Sequence, residues 1–86
     1  AHSAEHGLYF HPGFQGRGLG RQLLETLLAD GRERGFHIFV AVIDSSNEGS
    51  VIFHEKMGFE RIGKIKEVGR KKGQWLDLVL LQKIIS

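Results

Sequence analysis

Gln15, Gly16, Arg17, Gly18, Leu19 and Gly20 stand in a row, so glycine takes every second position just before an amphipathic run that opens at Arg21. Upstream, Leu8, Tyr9 and Phe10 read as the end of a strand, and His11, Pro12 and Gly13 as the turn after it. The chemistry suited to a strand, a glycine-rich turn and a helix start is anion binding. The first N–H groups of a helix have no intrahelical acceptor, and the helix dipole adds partial positive charge there. Glycines let successive N–H groups point inward and let a phosphate approach the backbone. The stretch therefore reads as a pyrophosphate cradle, although a glycine-rich turn that merely caps a helix would look the same over six residues.

Spacing narrows the type of cradle. A Walker-type loop needs Lys-Ser or Lys-Thr after its last glycine, and here Arg21 and Gln22 follow. A dinucleotide fingerprint starting at Gly16 would need glycine again at position 21, which is arginine. What remains is Gln-x-x-Gly-x-Gly, met by Gln15, Gly18 and Gly20.

These residues must be positioned by a small fold. Eighty-six residues make at most one domain, with a thin core that buries roughly 60–65% of the unfolded surface. Apolar residues at 41% and charged residues at 26% are ordinary for a soluble globular protein. No apolar run approaches the ~20 residues of a membrane span, and the N-terminus carries no signal-peptide pattern. With zero cysteines, disulfides, thiolate catalysis and Cys-based zinc sites are excluded, which fits a cytoplasmic protein. A net charge of +2 suits an anionic small ligand and argues little for nucleic acid. The chain starts without Met and runs straight into a strand-like segment, so the expectation is a start part-way into a domain.

Loose alternation predicts a strand over 3–10, in which Gly7 marks a bulge or the close approach of a ligand. Leu19, Leu23, Leu24, Leu27 and Leu28 form a helical stripe that runs past Asp30 and Gly31 to a cap at Arg34 and Gly35. Residues 36–43 are nearly all apolar and read as a strand buried on both faces, parallel to the first. Ser46 or Asn47 can cap a short helix that runs to about Met57 and stops at Gly58. A strand over 59–65, a polar basic loop over 66–74 and a strand over 75–85 follow, the last two strands antiparallel. The fold class is α/β (α+β), strand-helix-strand-helix-strand-strand with a mixed sheet.

Three separated motifs carry a resemblance: the glycine run with Leu8 to Pro12 before it; Asn47, Ser50, His54, Glu55, Gly58 and Phe59; and Val68, Gly69, Arg70, Lys71, Gly73, Trp75 and Asp77. In this order they resemble the GNAT superfamily of N-acetyltransferases, in its phosphinothricin/methionine sulfone branch. The resemblance covers essentially the whole chain but only the C-terminal portion of the family's domain. It implies a partial GNAT acyl-CoA N-acyltransferase fold over residues 1–86, without the family's N-terminal strands and helices. It also implies acetyl-CoA as co-substrate, a small amino-acid-like amine as acceptor, and a homodimer. A domain cut in this way leaves a sheet edge and an apolar face to be covered by upstream chain or a partner subunit.

Carried over residue by residue, the resemblance places the pantetheine arm against the backbone of Leu8, Tyr9 and Phe10, on a strand that splays from its neighbour. The pyrophosphate falls to the amides of Gly16, Arg17, Gly18, Leu19, Gly20 and Arg21, and the coenzyme-contacting Asn to Asn47, which could equally be a helix cap. His54 stands where many members carry a tyrosine that protonates the leaving thiolate. An imidazolium is competent for that step, and a structural helix histidine is the other reading. Glu5 is the carboxylate best placed as general base, unless it is simply a solvated strand residue. Transfer would be direct amine attack, with Tyr9 packing rather than reacting. Trp75 and Asp77 border the acceptor pocket or, more plainly, are a packing residue and the partner of a basic residue. Arg61, Lys64, Lys66, Arg70, Lys71 and Lys72 lack interleaved aromatics, so a solvated hairpin is expected and no nucleic acid. His2, His6 and His11 are scattered, and no metal is expected. The competing class is a coenzyme A-binding fragment or sensing module without catalysis.

Overall fold

The computed structural model describes residues 2–3, 7–12 and 20–86. Strands β1 (His2–Ser3) and β2 (Leu8–Pro12) are followed by helix α1 (Arg21–Glu33) and strand β3 (Ile38–Asp44). Helix α2 (Glu48–Lys56) then leads to strands β4 (Glu60–Lys71) and β5 (Gln74–Ile84). The described strands form one mixed sheet in the order β1-β2-β3-β5-β4. β2 and β3 are parallel, with Leu8 opposite Ile38 and Pro12 opposite Val42, as a strand-helix-strand unit requires. β5 lies antiparallel to both β3 and β4.

The expected first strand is two pieces. His2 and Ser3 fold back antiparallel on Tyr9 and Leu8, and Gly7 sits in the turn with φ +67°. The next strand's lead-in approaches Gly7 closely: a Cβ there would meet the Cβ of His37 at 3.3 Å. The Gly7 carbonyl accepts from the amides of His37 and Ile38 at 2.8 and 2.9 Å. Nor does the chain turn at His11, because β2 continues through Pro12.

α1 ends where its stripe ends, with Arg34 as C-cap donating its amide to Asp30. Gly31 lies within the helix where it passes close to the residue that follows β5: a Cβ there would stand 3.1 Å from Cδ1 of Ile85. Leu24 and Leu28 of α1 and Val51 of α2 pack with Phe39, Ala41 and Ile43 of β3 and Val79 and Leu81 of β5 in one core. Alternate residues of a strand share a face, so both helices cover the same side of the sheet. Among the described residues no helix is long and apolar enough to cross a membrane.

The largest departure lies in the C-terminal hairpin. The expected loop over 66–74 is strand as far as Lys71, and only Lys72 and Gly73 turn, with φ of 52° and 78°. Paired left-handed residues match the twist of a two-residue hairpin. Polar side chains are no obstacle because β4 is exposed along almost its whole length and is held by backbone pairing to β5. The irregularity expected of a loop survives as one register shift, between Ile65 and Gly69, and a second shift falls between Arg61 and Gly63 inside the expected strand.

Candidate functional site

Of the residues expected to form the cradle, Gln15, Gly16, Arg17, Gly18 and Leu19 lie outside the described residues, and so does Glu5. Gly20 and Arg21 are described. Gly20 is the N-cap of α1 in extended conformation (φ −72°, ψ 156°), and its carbonyl accepts from Leu24 at 3.1 Å. Among the described residues no side chain caps this end, and the first turn contains no acidic residue. Arg21 stands there instead, 3.4 Å from Glu25 and largely exposed. A cation at the positive end of a helix is locally unfavourable. An uncapped helix start that carries arginine is electrostatically suited to an anion.

β2 delivers its residues in two classes. Leu8 and Tyr9 lie between β1 and β3, whereas Phe10, His11 and Pro12 pair only with β3 among the described residues. Pairing with β3 holds over all five residues, so the expected splay is not found along Leu8–Pro12. Tyr9 stacks on Phe39 at 4.9 Å and meets Phe36 edge-on at 5.4 Å, which makes it a packing residue.

Asn47 caps α2: its Oδ1 accepts from the Ser50 amide at 3.1 Å. The turn before it is held by Asp44, whose Oδ1 accepts from both the amide and the hydroxyl of Ser46 at 2.9 Å. The Ser46 amide holds the Asp44 carboxyl below its ordinary value. Seven residues after the cap, His54 is fully buried. Its Nδ1 lies 2.8 Å from the Ser50 carbonyl, which can only accept, so Nδ1 carries the proton. Nε2 has no hydrogen-bond partner among the described residues. The rings of Phe53 and Phe59 stand edge-on to it at 5.5 and 5.2 Å. Burial pushes the His54 pKa below 6.5, against the opposing pull of the Ser50 carbonyl.

His11 belongs to the same core and was missed as a site residue. It is buried, 5.6 Å from the ring of Phe39, and its pKa is also lowered, first by burial and then by the charge of His54. Its signal in the sequence was positional: alternation puts it on the same strand face as Tyr9. A second feature came from no motif. A groove of about 420 Å³ between α1 and α2 is lined by Arg21, Glu25 and Arg32 from α1, Lys56 from α2 and Lys83 from β5, four cations against one carboxylate. Lys83 donates to the Met57 carbonyl at 2.7 Å, and Arg32 to that of Ile85 at 2.7 Å. Three elements contribute, so no local spacing could have shown it.

Asp77 accepts from the Glu67 amide at 2.8 Å and lies 3.8 Å from Lys64, so it shapes the hairpin. Trp75 is 57% exposed, with the Arg70 guanidinium 5.1 Å from its ring centre. Among the described residues no group of three or more His, Asp or Glu could hold a metal ion.

Comparison with known proteins gives a consistent result. The sequence profile of the acetyltransferase (GNAT) family matches residues 1–59. The L-methionine sulfoximine/L-methionine sulfone acetyltransferase of Salmonella typhimurium is 43% identical over 81 residues, 94% of this chain and 47% of that protein. The phosphinothricin N-acetyltransferase of Alcaligenes faecalis is 39% identical over 83 residues, 95% of this chain and 42% of that protein. The structure of yncA from Salmonella typhimurium, solved with its cofactor acetyl-CoA, superposes with a TM-score of 0.75 at 41% identity. That match covers 85% of this chain and 42% of the other. The chain thus spans about half the length of the curated relatives it matches.

Proposed function

This chain belongs to the acetyltransferase (GNAT) family, and we propose that it forms the coenzyme-binding part of an N-acetyltransferase for small amino-acid-like amines. The acceptors are of the phosphinothricin or methionine sulfone type, in keeping with the names of its relatives. The observation that carries this reading is the start of α1, where Gly20 is the N-cap, no side-chain cap and no acidic first-turn residue stand among the described residues, and Arg21 directly follows the glycine run in sequence. Acetyl-CoA lays its pyrophosphate on the amides of 16–21 and its pantetheine along β2 from Phe10 onward, beyond the Leu8 and Tyr9 positions that β1 pairs. The basic groove from Arg21 to Lys56 and Lys83 suits the remaining phosphate charge.

In the reaction the acceptor's amine nitrogen attacks the thioester carbonyl, the carbon–sulfur bond breaks, and coenzyme A leaves as thiolate. Glu5 takes the proton from the attacking amine, and His54 gives one to the sulfur through Nε2 from its imidazolium form, the only form in which Nε2 carries a proton while Nδ1–H stays on the Ser50 carbonyl. A backbone N–H on the β2 edge past Tyr9, where β1 no longer pairs, stabilises the oxyanion. Asn47 keeps its cap while contacting the coenzyme. The reaction uses no metal, and the enzyme works as a cytoplasmic homodimer. Residues 1–86 are one partial domain, with the acceptor wall supplied by the portion that the relatives carry in addition.

Calorimetric titration with acetyl-CoA, repeated on Gly18→Asp, tests this. Binding by the parent chain and at least a tenfold loss in the variant are expected, because a carboxylate at the cradle opposes the pyrophosphate. Equal binding by both proteins would refute the placement. Turnover with a panel of amines separates the enzyme from a coenzyme-binding module. Binding without turnover, even after extension upstream to the relatives' full length, would establish the module.

A further inference from the structure

A cleft of about 560 Å³ lies between α2 and the β4–β5 hairpin. It is on the other side of α2 from the residues assigned above. Asn47, Ser50 and His54 follow at i, i+3 and i+7 and share one side of the helix, whereas Glu48, Ile52 and Glu55 share another. Glu48 and Ile52 line the cleft, with Arg61 and Lys64 of β4 and Val79 of β5.

The chemistry of the cleft is set by the first register shift in β4. Residues three apart on a regular strand point to opposite faces, so Arg61 and Lys64 should be separated by the sheet. Here Arg61 is opposite Leu81, Gly63 opposite Leu80 and Lys64 opposite Val79. One extra residue therefore turns both cations to the helix-covered face, the re-aiming that a bulge achieves. Each is then held from one side, Arg61 by Glu55 of α2 at 3.4 Å and Lys64 by Asp77 at 3.8 Å. Two positioned cations, a carboxylate across from them and an apolar floor of Ile52 and Val79 occupy one cavity of ligand size.

We propose that this cleft is a second ligand site, for a free α-amino acid with an aliphatic side chain. The ligand's carboxylate meets Arg61 and Lys64, its ammonium faces Glu48, and its side chain lies over Ile52 and Val79. A zwitterion with a short apolar tail uses every charge the cleft presents, which neither a simple carboxylate nor a simple amine does. The site is independent of acetyl transfer, and α2 is the element common to both.

The test is a heteronuclear NMR titration of the protein with L-leucine, with 4-methylpentanoate and isoamylamine as single-charge analogues. Shifts are expected at the amides of Ile52, Arg61 and Lys64, with each analogue at least tenfold weaker. Arg61→Gln or Lys64→Gln should weaken L-leucine roughly tenfold, in line with loss of a charge-assisted contact. Glu48→Gln should abolish its advantage over 4-methylpentanoate, and Lys66→Gln should change nothing. The proposal is overturned if L-leucine shifts none of these amides at millimolar concentration, or shifts those around Gly20 and His54 instead. It is equally overturned if the cleft amides shift with protein concentration alone, which would make a second copy the occupant. No outcome depends on acetyltransferase activity.

Discussion

The two faces of the sheet are made from the same strands and have different fates. On the face beneath α1 and α2, Phe39, Ala41 and Ile43 alternate along β3, and Val79 and Leu81 answer them on β5, all at most 6% exposed. On the other face, Ile38, Val42, Leu78 and Leu80 are only half buried, and Ile84 is 59% exposed. Phe10 joins them at 38%. Val40, with Phe10 and Gln82 as register neighbours, is the exception at 4%. Hydrophobicity is therefore not what separates the faces. A β-branched residue becomes core only where another element covers it.

The comparison can be broken most forcefully by truncation. Phe39→Ala on the covered face should cost about 3–5 kcal/mol through lost burial and a cavity. Ile84→Ala on the open face should cost under about 1 kcal/mol. Urea unfolding of the two variants measures the contrast, and equal losses would mean that the open face is covered in solution.

Ionisation sharpens the comparison next. His11 and His54 lie on the covered face with pKa values below 6.5. Between the folded and unfolded values the unfolded chain binds more protons, so their contribution is full above pH 6.5 and is lost as pH falls through the folded pKa. Asp44 likewise sits below 3.8, and its contribution disappears as pH falls from there. The urea midpoint should decline in two separate steps on acidification. A midpoint flat from pH 7 to 5 would show that neither histidine is buried in its neutral form.

The smallest effect concerns β4. Glu67 is held at φ 54° in the second register shift, with its amide on Asp77. Glu67→Gly should relieve the left-handed strain and change stability by no more than about 1 kcal/mol in the favourable direction. A large loss would show that the Glu67 side chain does something the ladder does not.

How far the sequence could be read follows the same division. The α1 stripe, the strand at β3 and the Asn47 cap were legible because each depends on local spacing, but β3, expected to be buried on both faces, leaves Ile38 and Val42 only half buried. β4 was legible only as far as Ile65. Beyond it no apolar period exists, and what makes residues 66–71 a strand is the ladder with β5. The Tyr9 packing and the Asp77–Lys64 pair agree with the plain readings of those residues. His11 was passed over because a histidine without a ligand partner in sequence gives no signal until β2 and α2 are brought over the same core.

By itself the sequence determined the order of elements from β2 onward, the helix ends and the family, since periodicity, caps and a glycine run are properties of neighbours along the chain. Only the tertiary structure decided which face of the sheet became core, which nitrogen of His54 holds the proton, and that Arg61 and Lys64 stand on one side. Those outcomes depend on groups distant in sequence: a helix laid over one face, a carbonyl one turn away, and a register fixed by the opposing strand.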